Sequence, residues 1–244
     1  MRFAILLLAL VAGACNIDID QPWELEHDRI IAVRAEPPAI MPGEQSRLDL
    51  LVGFEEMPAT ERAPDLAQVV SPTSLAGVLA PDNGTWVVTA PSEEQLAAAR
   101  SELGLMPGAP VPLVIGVAAA WPNPVMSIDS MHFGATKTIM LGETATNPTM
   151  TGITIDGNDP AGTDLVVPKD PDAMTKAETH LYVEGDDEKD LITWLTSCGE
   201  MHDFDSHKAY LTVGPDDPTE GQLALVYRDG KGGVAWRLWN IRAE

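Results

Sequence analysis

The stretch with the most evident chemical capacity lies between residues 198 and 207, where the chain reads CGEMHDFDSH. Zinc binds three or four such side chains in a tetrahedral arrangement, with neutral imidazoles and a deprotonated thiol. We therefore name Cys198, His202 and His207 as candidate metal ligands. The other side chains of ligating type in the stretch are Glu200, Asp203 and Asp205.

The same stretch also fits a polar connection between two strands. His202 and His207 are five residues apart, so a continuous strand would place them on opposite faces and only a loop could bring them together. The spacing matches no standard zinc finger. The alternative is therefore a solvated loop, in which Cys198 serves as a small buried hydrophobic residue.

Other motifs give weaker indications. Two acidic turns, residues 185–190 and 214–218, carry oxygen ligands of the kind that calcium uses, but neither follows the EF-hand spacing. The glycine-rich residues 230–233 lack the Ser/Thr and the helix that a phosphate loop requires. Neither Ser92 nor Ser206 lies in a Gly-x-Ser-x-Gly context. We therefore expect a protein that is not an enzyme and has no catalytic residues and no cofactor.

Three tryptophans lie on predicted strands of the second half: Trp194, Trp236 and Trp239. Aromatic residues on strands usually pack in the core or at its rim. The alternative is a platform that stacks against sugar rings, which would make the protein a glycan- or protein-binding surface subunit. An exposed aromatic patch is the feature that would distinguish this alternative.

The first 14 residues have the pattern of an export signal. Arg2 supplies a positive charge, residues 3–11 are apolar, and residues 12–14 are small. The apolar run is far shorter than the roughly 20 residues that cross a bilayer. A cysteine, Cys15, follows directly, although a plain secretory signal with an unrelated cysteine is the other interpretation.

The sequence Ala-Gly-Ala-Cys at residues 12–15 resembles the bacterial lipobox, although the family most often has leucine where Ala12 stands. The resemblance implies cleavage before Cys15 and attachment of lipid to it, so that the membrane becomes a partner through the acyl chains. Asn16 at the next position favours the outer membrane. The polar, acidic residues 15–28 predict a flexible tether.

Composition limits the remaining possibilities. Acidic residues outnumber basic ones by 37 to 15, which gives a formal net charge of −22 and disfavours nucleic-acid binding. The chain has two cysteines, so with Cys15 lipidated Cys198 has no partner within the chain. Twenty glycines and twenty prolines are typical of many short strands joined by turns.

Hydrophobic patterns predict strands in both halves and one helix in the first. The helix spans residues 93–103, begins at a capping box of Ser92 and Gln95, and ends at Gly104. The apolar run 111–121 predicts a core strand that is buried on both faces. The other predicted strands are 31–35, 48–52, 86–89, 136–141, 151–156, 165–167, 180–184, 191–195, 210–213, 223–228 and 234–241.

Residues 29–38, followed by Pro-Gly-Glu at 42–44, resemble the opening strand of immunoglobulin-like modules in bacterial surface lipoproteins, notably a set common in myxobacteria. Residues 147–157 and 227–236 resemble the start of a further module and its final hairpin. The resemblance implies an all-β fold and no catalytic residues.

We therefore expect a signal peptide (1–14), a lipidated tether (15–28) and two immunoglobulin-like β-sandwich domains in tandem (29–145 and 146–244), with the helix inserted in the first. The expected function is that of a non-enzymatic structural or interaction module, lipid-anchored in the cell envelope at the periplasmic or surface side of the outer membrane. A protein or glycan of the envelope is the expected partner. Metal binding by the Cys198–His207 loop and a glycan- or protein-binding surface remain the alternatives.

Overall fold

The computed structural model describes residues 21–120, 132–172, 177–185 and 188–244. The predicted signal peptide and Cys15 lie outside the described residues. Within the described ranges, no helix has the length and apolar character needed to span a membrane. The chain forms two β-sandwiches, which we call domain 1 and domain 2, and the predicted boundary at 145/146 lies in the connection between them.

Domain 1 contains nine strands, one α-helix and one 3₁₀ turn in the described residues. The helix α1 (Glu93–Leu103) begins at Ser92 with the predicted capping box and ends at Gly104, which adopts a left-handed conformation. The strands are β1 (Arg29–Glu36), β2 (Ala39–Ile40), β3 (Gln45–Phe54), β4 (Met57–Arg62), β5 (Leu66–Ser71), β6 (Leu79–Asp82), β7 (Thr85–Thr89), β8 (Val111–Ala120) and β9 (His132–Leu141), and the 3₁₀ turn spans Thr73–Val78.

Domain 2 contains eight strands in the described residues. Its last two strands form the long hairpin that the glycine-rich sequence predicts. The strands are β10 (Thr154–Ile155), β11 (Asp164–Val167), β12 (Glu178–Tyr182), β13 (Leu191–Thr196), β14 (Glu200–His202), β15 (Lys208–Thr212), β16 (Glu220–Arg228) and β17 (Val234–Ala243).

Both domains have the immunoglobulin-like strand order. In domain 1 one sheet has the order β1-β3-β7-β6, with β4 also paired to β3, and the other has the order β2-β9-β8-β5. In domain 2 the corresponding sheets are β10-β12-β15-β14 and β11-β17-β16-β13. These orders correspond to the A-B-E-D and A′-G-F-C sheets of an immunoglobulin-like sandwich. The all-β prediction of two such domains is confirmed.

The four sheets stack as four layers, because one sheet of each domain packs against the other domain. We call β1-β3-β7-β6 the inner sheet of domain 1 and β11-β17-β16-β13 the inner sheet of domain 2; the other two are outer sheets. Alternate residues of one strand face different cores: Leu50 and Val52 of β3 lie in the core of domain 1, whereas Leu51 lies in the core between the domains. On β17, Trp239 and Trp236 divide in the same way.

Two sequence expectations need correction. Strand β8 alternates between buried and half-buried positions and is not buried on both faces. The reason is that no layer formed by the described residues covers the outer sheet, and several half-buried positions of the strand hold small residues such as Gly116 and Ala118. The second correction concerns residues 21–28, which were expected to be part of a flexible tether.

Residues 21–28 pack against both domains. Leu25 is fully buried in the core between the domains, and its N–H donates to the Thr196 carbonyl at 2.9 Å. The Thr196 N–H in turn donates to the Trp23 carbonyl, so the segment extends the edge of β13. Gly53 allows this approach, since a Cβ there would lie 2.4 Å from the Leu25 carbonyl oxygen. Trp23 and Leu25 are apolar residues at alternate positions, and the acidic residues around them made this strand pattern hard to recognise in the sequence.

Candidate functional site

Cys198 occupies the tight connection between β13 and β14 and points into the core of domain 2. The thiol is fully buried and donates a hydrogen bond to the Pro218 carbonyl at 3.0 Å. The Thr196 hydroxyl bonds both the N–H and the carbonyl of Cys198. Burial, together with the negative charge of Asp217, raises the pKa of the thiol to about 11. Cys198 is therefore a protonated core residue at neutral pH, whereas a metal ligand must be a thiolate.

The two candidate histidines lie in different surroundings. His202 is on β14 and stacks on the ring of Tyr210, with the ring centroids 4.4 Å apart. His207 precedes β15, and its Nδ1 lies 3.1 Å from the carbonyl oxygen of Val183. Among the described residues, no three His, Cys, Asp or Glu side chains are grouped so that they could hold a metal ion. The structure therefore does not bring Cys198, His202 and His207 together as a metal site.

The expectation of a loop across this stretch also needs correction, because Glu200–His202 forms strand β14 and pairs with β15. Three residues with two polar side chains give no detectable strand pattern in the sequence. The pairing follows from the buried Met201, which packs in the domain 2 core between outward-facing Glu200 and His202.

The three tryptophans are buried and offer no sugar-binding platform. Trp194 and Trp239 stack in the domain 2 core, with ring centroids 6.5 Å apart. Trp236 packs between the domains, and the Arg34 guanidinium lies 4.2 Å above its ring. The aromatic packing expected from the sequence is thus observed for all three.

One exposed ring and two half-buried rings lie together on the outer sheet of domain 2. The register places His180 of β12, Tyr210 of β15 and His202 of β14 side by side. We call these three residues the histidine–tyrosine row. His180 and Tyr210 have ring centroids 6.5 Å apart, and His202 stacks on the other side of Tyr210. The alternation of buried and outward residues in β12 and β15 could have indicated this surface.

Carboxylates flank the row at one side. Glu178 and Glu200 each lie two residues before the histidine of their own strand, and both pair with Thr212 of β15. Each has a carboxylate oxygen 3.7 Å from the Nε2 of the histidine on its own strand. Aromatic rings next to carboxylates can bind sugars, because rings pack on C–H faces while carboxylates accept from hydroxyls; in this row His180 is the most exposed ring.

Polar contacts surround the apolar core between the domains. Asn147, in the connection between the domains, donates to the Ala35 carbonyl and accepts from the Val234 N–H at 2.9 Å each. The Gln222 side chain accepts from the Ala59 N–H at 2.7 Å. Leu51 and Trp236 are buried between these polar contacts, so the two domains pack against each other.

Comparisons with known proteins find only distant structural similarity. No family model matches the chain, and no curated protein matches it in sequence. Among solved structures, it is similar to fibronectin(III)-like modules of Clostridium thermocellum CbhA, at 8% identity over 87% of this chain and 94% of that chain, with a TM-score of 0.28. It is also similar to tandem Ig repeats of Dlar, at 11% identity over 87% and 97% of the two chains, with a TM-score of 0.32. The fold assignment depends on the strand order described above.

Proposed function

We propose that this protein is a lipoprotein of the bacterial cell envelope, anchored through Cys15 in the outer membrane, that acts as a non-enzymatic interaction module. The observation that supports the proposal is the packing of the chain from Gln21 onward against both domains. Five residues then separate Cys15 from the packed segment, and the six peptide units from Cys15 to Gln21 span at most about 20 Å. The two domains would be held as one body close to the membrane surface.

The anchor can be tested with a fatty-acid label in a Gram-negative host. The wild-type chain should incorporate the label and sediment with membranes, whereas Cys15→Ser should be unlabelled and released on washing. Cys198→Ser is the matched control and should remain labelled, because the Cys198 thiol is buried in the domain 2 core. An unlabelled wild-type protein would contradict the anchor. Asn16→Asp should move the labelled protein from outer-membrane to inner-membrane fractions on a density gradient.

A second candidate function is glycan binding by the histidine–tyrosine row, which the exposed His180 ring, the half-buried rings beside it and the flanking carboxylates favour. Tyr210→Ala should reduce retention on immobilised cell-wall glycan, since stacking contributes about 0.5–1.5 kcal/mol per ring. Trp236→Phe is the control, because it alters a ring that is buried between the domains. Equal retention of both variants and wild type would exclude this surface.

A further inference from the structure

A cavity of about 430 Å³ lies where the two domains meet. Its walls are β1 and β9 of domain 1 and the β16–β17 hairpin of domain 2. Among the described residues, β1 pairs with β3 alone, and most of β9 pairs with β8 alone. The cavity therefore lies beside the edge strands β1 and β9, and its size falls within the range of about 300–1,000 Å³ found for small-molecule sites.

Lys137 of β9 supplies a buried positive charge to this cavity. Its side chain is 6% exposed, and its ammonium group donates to the Gly232 carbonyl at the tip of the hairpin. Among the described residues this is its one hydrogen-bond acceptor, whereas an ammonium group carries three donors. Burial lowers the pKa of Lys137 to about 8; Asp229 partly offsets this effect and the repulsion of Arg228 adds to it.

Arg228 is a second cation in the wall of the cavity. Its guanidinium donates to the Ile31 carbonyl at 2.8 Å and to the Thr193 hydroxyl at 3.3 Å, both neutral acceptors. Burial lowers its pKa. The carboxylate in the wall, Asp229, already accepts the N–H groups of Lys231 and Gly233. The cavity therefore has two cations and one carboxylate, in a chain whose net charge is −22.

We propose that this cavity binds an organic carboxylate. The carboxylate group would accept the two remaining Lys137 protons beside the Arg228 guanidinium, where opposite charge and low exposure strengthen the hydrogen bonds. The hydrocarbon part would contact Ile30, Leu191 and Val234, which line the rest of the cavity. Inorganic phosphate has no hydrocarbon part, so it would leave these apolar walls in contact with water. An uncharged amphiphile would add no negative charge beside Lys137. The site is independent of the proposed anchor and of the histidine–tyrosine row.

Titration calorimetry of the full chain carrying Cys15→Ser tests the site with three probes at pH 7. Octanoate should bind saturably with one site, and octanol and inorganic phosphate should each bind at least about tenfold more weakly, a difference of about 1.4 kcal/mol. Equal affinity for octanoate and octanol would reduce the site to an apolar groove. Equal affinity for phosphate would reduce it to a simple anion site. Either result, or no octanoate binding, overturns the proposal.

Variants locate the site. Lys137→Met should weaken octanoate binding at least about tenfold. Lys169→Met is the matched control, because Lys169 likewise donates to a backbone carbonyl, that of Asp217, but does not line the cavity. If Lys137→Met does not fold, the wild-type protein still decides the question: octanoate affinity should fall from pH 7 to pH 9 as Lys137 loses its charge between Arg228 and Asp229, and octanol affinity should not. Octanoate binding that ignores both the variant and pH rejects the assignment.

Discussion

The A-B-E-D sheets of the two domains share one strand order and have opposite surroundings. In domain 1 the outward positions of this sheet include Leu51 and Ala59, which are buried against domain 2. In domain 2 the outward positions of the equivalent sheet are polar and aromatic, as in the histidine–tyrosine row, and face solvent. Two sheets with the same strand order can therefore have outward faces with different roles. The side chains on alternate positions determine whether that face becomes an interface.

The largest effect should come from a charge placed on the covered face. Leu51→Asp places a carboxylate among the apolar side chains of the core between the domains, and we expect a loss of about 3–5 kcal/mol in the free energy of unfolding. The matched change on the open face is His180→Asp, which should alter stability by less than about 0.5 kcal/mol. Urea unfolding measures both. Similar small effects would mean that the domains are not packed in solution.

The next effect concerns the N-terminal segment that closes the same interface. Leu25→Ala removes a fully buried side chain, and we expect a cost of about 2–4 kcal/mol. Hydrogen exchange at the Leu25 and Thr196 amides, which bond across the segment, should accelerate. Glu26→Ala serves as the control, since Glu26 is half exposed. Unchanged protection in Leu25→Ala would show that the backbone pairing alone holds the segment.

The N-terminal segment, residues 21–28, is one of the features that the sequence alone could not predict. Alternation and turn residues predicted the long strands, and the Ser92 capping box predicted α1, because these signals are local. Strands β2, β4, β5, β6 and β14 were not predicted. β4, β6 and β14 pair with adjacent strands but are short or largely polar and show no clear apolar alternation. β2 and β5 pair with β9 and β8, which are distant in sequence. The packing of residues 21–28 has the same origin: its partner Thr196 is about 170 positions away along the chain.

For the candidate site, the residue types could be taken from the sequence, but the orientations of the side chains could not. Cys198, His202 and His207 are near in sequence, yet Cys198 lies in the connection before β14 and packs in the domain 2 core, whereas His202 lies on the outward face of β14. Lys137 was not predicted as a site residue because a lysine in an alternating strand suggests a solvent face. Its burial results from domain 2, whose hairpin covers it.

The pH dependence of the free energy of unfolding, compared with and without Lys137, tests whether the domains pack against each other. The Lys137 pKa of about 8 lies below the unfolded value of 10.5, so folding expels a proton between these values and stability attributable to Lys137 rises with pH from about 8 to 10.5. Lys137→Met should therefore be more stable than wild type at pH 7 by about 1–2 kcal/mol, and the difference should vanish by pH 10.5. Chemical denaturation at several pH values measures it. A difference that does not depend on pH would indicate a lysine charged equally in both states.

The smallest effect concerns α1 of domain 1, which has no counterpart among the described residues of domain 2. Hydrogen bonds from the Ser74 hydroxyl and from the Thr73 and Ser74 N–H groups lower the pKa of Glu102 from 4.5 to about 2. These contacts tie the end of α1 to the 3₁₀ turn. Because the folded pKa is depressed, their contribution is fully present above pH 4.5 and is lost as pH falls toward 2.

Glu102→Gln should therefore be slightly less stable than wild type at pH 7 and should converge with it near pH 2, as followed by thermal unfolding. Glu94→Gln on the same helix is the control, because its side chain is exposed on the first turn. Parallel pH curves for Glu102→Gln and wild type would mean that the turn does not depend on a charged carboxylate. Packing of Leu96, Ala99 and Leu103 against the domain 1 core would then hold the helix to the sandwich without help from the Glu102 charge.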